Sequence, residues 1–183
     1  MPRRAIVLGV VSLLIALVGA PHAHAITVEI YSGHGTAGGG LPYSGLVGSF
    51  QSPDILFATS TGYAWHPFGL DDFGALITGN LAVGANGLYT FTLNSDDGSV
   101  LYIDGGLVVN NGSAHAPETA IGSTFLTAGI HSFWVEFFEC CGGPSGVDLY
   151  LPQGVTYAEV PEPATLLLLS SGLAGLLLYR RRA

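Results

Sequence analysis

The chain has 183 residues, is 49% hydrophobic and 10% charged, and sets five Lys or Arg against thirteen Asp or Glu, for a net charge of −8. All five cations are arginines, at positions 3, 4 and 180–182; residues 26–160 therefore hold twelve carboxylates (thirteen less Glu162) and no Lys or Arg. Nothing in that stretch can neutralise phosphate, which excludes nucleic acid and disfavours anionic membrane surfaces as partners. The same imbalance suits a divalent cation, calcium being the extracellular one in ready supply, or simply keeps a secreted protein soluble.

In chain order, Arg3 and Arg4 precede an apolar run from Ala5 to Ala20, and Ala23-His24-Ala25 supplies small residues. This is the pattern of a secretory signal, residues 1–25, cut after Ala25; His22 and His24 leave with it. Residues 26–160 then form one domain, long enough to bury a core. Thr27 to Tyr31 reads as a strand, and the Gly- and Ser-rich stretch from Gly33 to Ser60 reads as irregular. Gly33-His34-Gly35-Thr36-Ala37-Gly38 fits G-x-G-x-x-G, but Gly39, Gly40 and Pro42 follow where a dinucleotide site needs a helix, so it is a loop.

The remainder shows short alternating runs and no long helical periodicity. Tyr89, Phe91 and Leu93 line one face of a strand; Val100 to Asp104 is a second. Phe133, Val135 and Phe137 line a third, and Val147, Leu149 and Leu151 a fourth, with Asp148 and Tyr150 on its other face. Asn86-Gly87 and Asp104-Gly105-Gly106 are tight-turn signals. The fold class that follows is all-β, an antiparallel β-sandwich, flanked by an N-terminal signal helix and a C-terminal apolar helix. His34, His66, His115 and His131 show no metal spacing, and His131 reads as structural. Asp104 reads as a cap for backbone N–H groups, and Asp71-Asp72 as solvated loop residues. Asn111-Gly112-Ser113 has the form of a glycosylation sequon.

The stretch from Gly87 to Val109, GLYTFTLNSDDGSVLYIDGGLVV, carries the most information. Asp96 and Asp97 on a regular strand would point to opposite faces; in a turn, and especially across a cis peptide, they share one side. The run resembles the PA-fourteen domain, a β-sandwich of bacterial glycosidases and flocculin-type adhesins. Gly79-Asn80-Leu81, the G-x-Y-x-F of Gly87, Tyr89 and Phe91, the turn Asp96-Asp97-Gly98-Ser99, the strand Leu101 to Gly105, Ala128-Gly129-Ile130-His131 and Val135 to Glu139 match it in order, from about Leu70 to Leu151. Phe137 stands where the family usually has Tyr. The resemblance implies that Asp96 and Asp97, across a cis peptide, bind calcium, and that the calcium binds sugar hydroxyls. It takes the remaining ligands from the loop Glu139 to Gly146: the Glu139 side chain, where the adhesins carry Asn, and the carbonyls of Cys141 and Gly143. Gly142 of that loop, with Tyr63 and Trp65 from the variable segment, would supply sugar contacts; Tyr43 and Phe68 are further aromatic candidates. A turn of Asp residues bonded to their own backbone is the plain alternative.

Cys140 and Cys141 are the only cysteines. Three states are open to them: a vicinal disulfide stiffening the ligand loop, a free thiol pair, or bonds to another chain. Two cysteines without a histidine at ligand spacing make no zinc site.

The last stretch runs from Val160-Pro161-Glu162-Pro163 through an apolar segment, Ala164 to Tyr179, to Arg180, Arg181 and Arg182. Sixteen helical residues span about 24 Å, short of the roughly 30 Å hydrocarbon core. This layout resembles the PEP-CTERM sorting tail, residues 161–183, which implies processing by an exosortase after transient membrane insertion through residues 164–179. A simple C-terminal membrane anchor is the alternative. The domain is expected to reach the cell surface or extracellular matrix through the general secretory route. There it serves as a calcium-dependent binder of exopolysaccharide or glycan or, in the second reading, as a structural matrix protein with a cation-binding acidic surface. No enzyme is expected: neighbouring aspartates cannot flank a glycosidic bond at about 5–9.5 Å, and no nucleophile–base arrangement stands out.

Overall fold

A computed structural model of the chain describes residues 26–35, 37, 45–57 and 65–158; the signal segment, the sorting tail and Tyr63 lie outside them. Among the described residues no helix is long and apolar enough to cross a membrane.

Eleven strands are described: β1 (Ile26–Tyr31), β2 (Leu46–Ser52), β3 (Leu56–Phe57), β4 (Phe73–Val83), β5 (Gly87–Asp96), β6 (Ser99–Ile103), β7 (Gly106–Asn111), β8 (Glu118–Leu126), β9 (Gly129–Glu139), β10 (Gly146–Tyr150) and β11 (Val155–Tyr157). They form a seven-stranded sheet in the order β2-β1-β4-β9-β6-β7, with β11 also on β4, and a four-stranded sheet in the order β3-β10-β5-β8. Every pairing is antiparallel.

The period-2 patterning sets which face each strand buries. Ile77, Leu101, Val135 and Phe137 of the larger sheet and Phe91, Leu93, Val147 and Leu149 of the smaller share one core, each at most 2% exposed. At about 25 cal/mol per Å² of apolar surface, this sheet-on-sheet burial is the main stabilising term. The turn aspartate works as its sequence suggests. Asp104 and Gly105 both take positive φ, 49° and 83°, the combination a two-residue hairpin between β6 and β7 requires. The Asp104 carboxylate then accepts the Ser132 N–H at 3.0 Å and the His131 ring.

The stretch read as irregular departs from expectation, because β2 and β3 lie inside it. Its glycines and serines hide a strand whose apolar signal is thin. Gly48 is there for packing: a Cβ at that position would strike the Phe68 ring, and Phe50 packs against the core.

Candidate metal centre

Two crossings between the sheets meet at one end of the sandwich. β5 belongs to the smaller sheet and β6 to the larger, with only Asp97 and Gly98 between them. β9 ends in the larger sheet at Glu139, and β10 begins in the smaller at Gly146. β6 and β9 are neighbours with Ser99 opposite Phe137, and the Phe138 N–H donates to the Gly98 carbonyl at 2.9 Å. Continuing that register outward brings Asp97 beside Glu139. A glycine is needed between them, since a Cβ at Gly98 would drive into the Phe138 ring and reach the Ser113 carbonyl at 2.8 Å.

The peptide joining Asp96 to Asp97 is cis. One carboxylate oxygen each from Asp96, Asp97 and Glu139 lies within 4.8 Å of the others. All three are withdrawn from solvent, at 9%, 8% and 1% exposure. Asp97 is fixed at both oxygens: Oδ1 accepts the His115 N–H and Oδ2 the Cys140 N–H, each at 2.9 Å. Glu139 Oε2 is buried and accepts nothing. Burial pushes the Glu139 carboxyl up to about 8, and the charges of Asp97, Asp96 and Asp71 push the same way. Burial likewise raises Asp96, with Asp97 adding to it and His115 offsetting part.

Three buried carboxylates in a domain without Lys or Arg have no protein cation to balance them, and a buried unpaired acceptor is costly. A hard divalent cation fits on both counts. Calcium binds oxygen at about 2.3–2.6 Å, so two of its ligands lie up to about 5 Å apart, the spread of this cluster.

The loop after β9 carries the vicinal disulfide Cys140–Cys141, with Cα atoms 3.7 Å apart. Cys140 is 6% exposed beside Ala37, Val100 and Phe138, whereas Cys141 and Gly142 are exposed. Cys141, Gly142 and Gly143 follow one another at positive φ, a sharp turn in the loop that leads from Glu139 to β10. Trp65 is placed differently from a free aromatic at the tip. Its ring stacks on Phe57 at 4.3 Å and meets Phe73 and Phe137 edge-on, so it is a packing element above the core. Asp71 is exposed, as read from the sequence, yet it is close enough to raise Glu139, because β4 starts opposite that residue.

A third loop, absent from the sequence reading, completes the site. Asn111 is 6% exposed and gives its Nδ2 to Ser95 Oγ at 3.0 Å and to the Glu118 carbonyl at 3.1 Å. Ser99 Oγ meets the same Ser95 at 2.7 Å. This buried network ties residues 111–118 beneath the aspartates, and His115 Nε2 bonds the Asn111 carbonyl at 3.0 Å. The His115 ring is thus occupied locally, and its backbone N–H is what serves Asp97. A main-chain donor leaves no mark in a sequence.

A two-sheet antiparallel domain with paired aspartates at its tip defines a class, and the family comparison makes it specific. The chain belongs to the PA14 domain family, whose model matches residues 27–161, and residues 159–182 match the PEP-CTERM protein-sorting motif. No curated protein matches it. Among solved structures, the PA14 sugar-binding domain from an RTX adhesin is similar at 19% identity and TM-score 0.57, over 75% of this chain and 95% of that one. The epithelial adhesin 6 A domain from Candida glabrata, in complex with Galb1-3GlcNAc, is similar at 12% identity and TM-score 0.52, over 78% and 89%. An anti-sigma factor domain-containing protein from Clostridium clariflavum is similar at 17% identity and TM-score 0.57; this chain spans 45% of it, and 75% of this chain is covered. These likenesses concern the fold.

Proposed function

We propose that this is an exported surface protein whose PA14 domain binds carbohydrate through a calcium ion held by Asp96, Asp97 and Glu139. The observation that carries the reading is the tip cluster itself: three withdrawn carboxylates within 4.8 Å, one ending in a buried oxygen without a partner. Bound there, calcium supplies a Lewis-acidic centre that takes sugar hydroxyls as ligands. The chain's own groups prepare that site. The His115 and Cys140 N–H groups orient Asp97, and Gly98 lets the two crossings close together. The carbonyls of Cys141 and Gly143 complete the ligand set, and Gly142 borders the sugar. Glu139 makes the ligand charge −3, so the occupied site stays net negative and suits neutral rather than anionic glycans.

Two of the similar folds support this, one a sugar-binding domain of an RTX adhesin and the other solved with a disaccharide. The sorting motif at residues 159–182 supports export, exosortase processing and surface association, with residues 1–25 as the signal and 164–179 as the transient membrane segment. The proposed role is binding without catalysis, since Asp96 and Asp97 are chain neighbours joined by a cis peptide and cannot flank a glycosidic bond from opposite sides. Glycan-array binding with calcium and with excess chelator tests the reading. Binding to at least one glycan that is lost on adding chelator is expected; no binding with calcium, or no glycan whose binding falls with chelator, overturns it.

A further inference from the structure

We propose that the outer face of the seven-stranded sheet carries a second sugar site, independent of calcium, in which Trp134 stacks on a pyranose ring of a neutral polysaccharide. Phe133, Val135 and Phe137 of β9 point into the core, so Ser132, Trp134 and Glu136 take the opposite face. On β4 the outward residues Leu76 and Thr78 stand opposite Glu136 and Trp134. Between the two strands lies an open cleft of about 400 Å³ lined by Leu76, Thr78, Ser132, Trp134 and Glu136 and floored by Gly79. That size falls within the range of small-molecule sites, about 300–1,000 Å³.

Trp134 is set up as a platform. Its ring lies parallel to Tyr102, its neighbour across β6, with centroids 4.7 Å apart and planes 11° apart. Because β9 runs between β4 and β6, Tyr102 covers one indole face and the other turns toward the cleft on the β4 side. The ring is held in place without being closed off, which spares the entropy of ordering it on binding. The Thr78 and Ser132 hydroxyls and Glu136, at 8% exposure, line the cleft beside it, and Glu29 on β1 stands opposite Leu76. An aromatic face rimmed by acceptors matches a pyranose, which presents an apolar C–H face and donating hydroxyls around it. The charge decides the ligand class. Carboxylates flank Leu76 on both sides and no Lys or Arg lies in residues 26–160, so a uronate or sulfated chain is repelled and an uncharged one is not. Trp134 is five residues from Glu139 along one strand, about 17 Å at about 3.3 Å per residue. The domain can therefore grip two strands, or two points of one strand, and gain avidity.

The test is affinity electrophoresis of the full protein in excess EDTA, through gels containing dextran, hydroxyethylcellulose or galactomannan, with alginate as the polyanion. Retardation in at least one neutral gel and none in alginate is expected. Trp134→Ala should weaken it at least tenfold, Trp134→Tyr should keep most of it, and Asp97→Asn, which disables the tip, should leave it unchanged. Should Trp134→Ala fail to fold, a shift of indole fluorescence on adding the retarding glycan, present in the wild type and unaltered by Asp97→Asn, replaces it. No retardation in any neutral gel, retardation in alginate alone, equal retardation of a folded Trp134→Ala, or self-association in plain gel would overturn the proposal. Failure here leaves the calcium-dependent array result untouched, so the two sites are judged separately.

Discussion

Glu139→Gln is the most revealing substitution, because the same carboxylate that would bind calcium destabilises the chelated protein. Its pKa rises from 4.5 to about 8 in the fold. The folded chain therefore holds this proton more tightly than the unfolded chain does. The sign follows: stability contributed by the protonated acid is complete below pH 4.5 and is lost as pH climbs toward about 8. The loss proceeds at about 1.4 kcal/mol per pH unit and amounts to about 3 kcal/mol at pH 7. In a domain of this size that is roughly 10 °C in melting temperature. Glutamine keeps the shape and removes the charge. In excess EDTA, Glu139→Gln should melt above the wild type at pH 7 to 8 and match it near pH 5. With calcium the gap should narrow, and the order should reverse only once calcium exceeds a few hundred times the wild type's dissociation constant, since about 1,000 times that constant contributes about 4.1 kcal/mol. Differential scanning calorimetry across that pH range, with EDTA and with calcium, reads both arms. A chelated wild type whose stability is flat from pH 5 to 8, or a variant no more stable than it, would refute the reasoning.

Gly98→Ala puts a methyl group against the Phe138 ring and the Ser113 carbonyl, and should cost about 1–3 kcal/mol in urea denaturation while lowering calcium affinity. At the opposite end, the hydrogen bond to His131 holds Asp104 below its usual range, and Asp104 in turn raises His131. Their joint contribution is present between those values, lost as pH falls through the lowered Asp104 and lost again as it rises through the raised His131. Since Asp104 is half exposed, it should amount to less than about 1 kcal/mol, read as the wild type minus His131→Gln difference against pH. Reducing the Cys140–Cys141 bond frees the loop whose Cys140 N–H holds Asp97 Oδ2. Calcium affinity should fall several-fold by calorimetry and fall likewise in Cys140→Ser/Cys141→Ser; unchanged affinity in both would contradict the role given to that donor.

The core and the tip differ in how much of them a sequence can reveal. Alternation in Tyr89-Phe91-Leu93 and Phe133-Val135-Phe137 marks β5 and β9 because burial imposes period 2, and the Asp96-Asp97-Gly98 turn marks the crossing between sheets. Glu139 is legible as a partner of that turn only through the family resemblance. Its nearness depends on the β6–β9 register, a pairing between segments some forty residues apart. The His115 contribution is a backbone N–H and carries no side-chain signal. β2 escaped notice because its Gly48 and Ser49 read as loop residues, although Gly48 is there to admit Phe68. Trp65 shows the converse error: an aromatic in a variable segment suggests an exposed ligand platform, but three rings of the core claim it.

Isothermal titration of calcium into the chelator-stripped protein at about pH 7.5, beside a folded Asp96→Asn/Asp97→Asn variant, is the most direct trial of the tip. One ion per chain in the wild type and none in the variant is the predicted outcome. No heat of binding in the wild type, or the same uptake by both proteins, would contradict it.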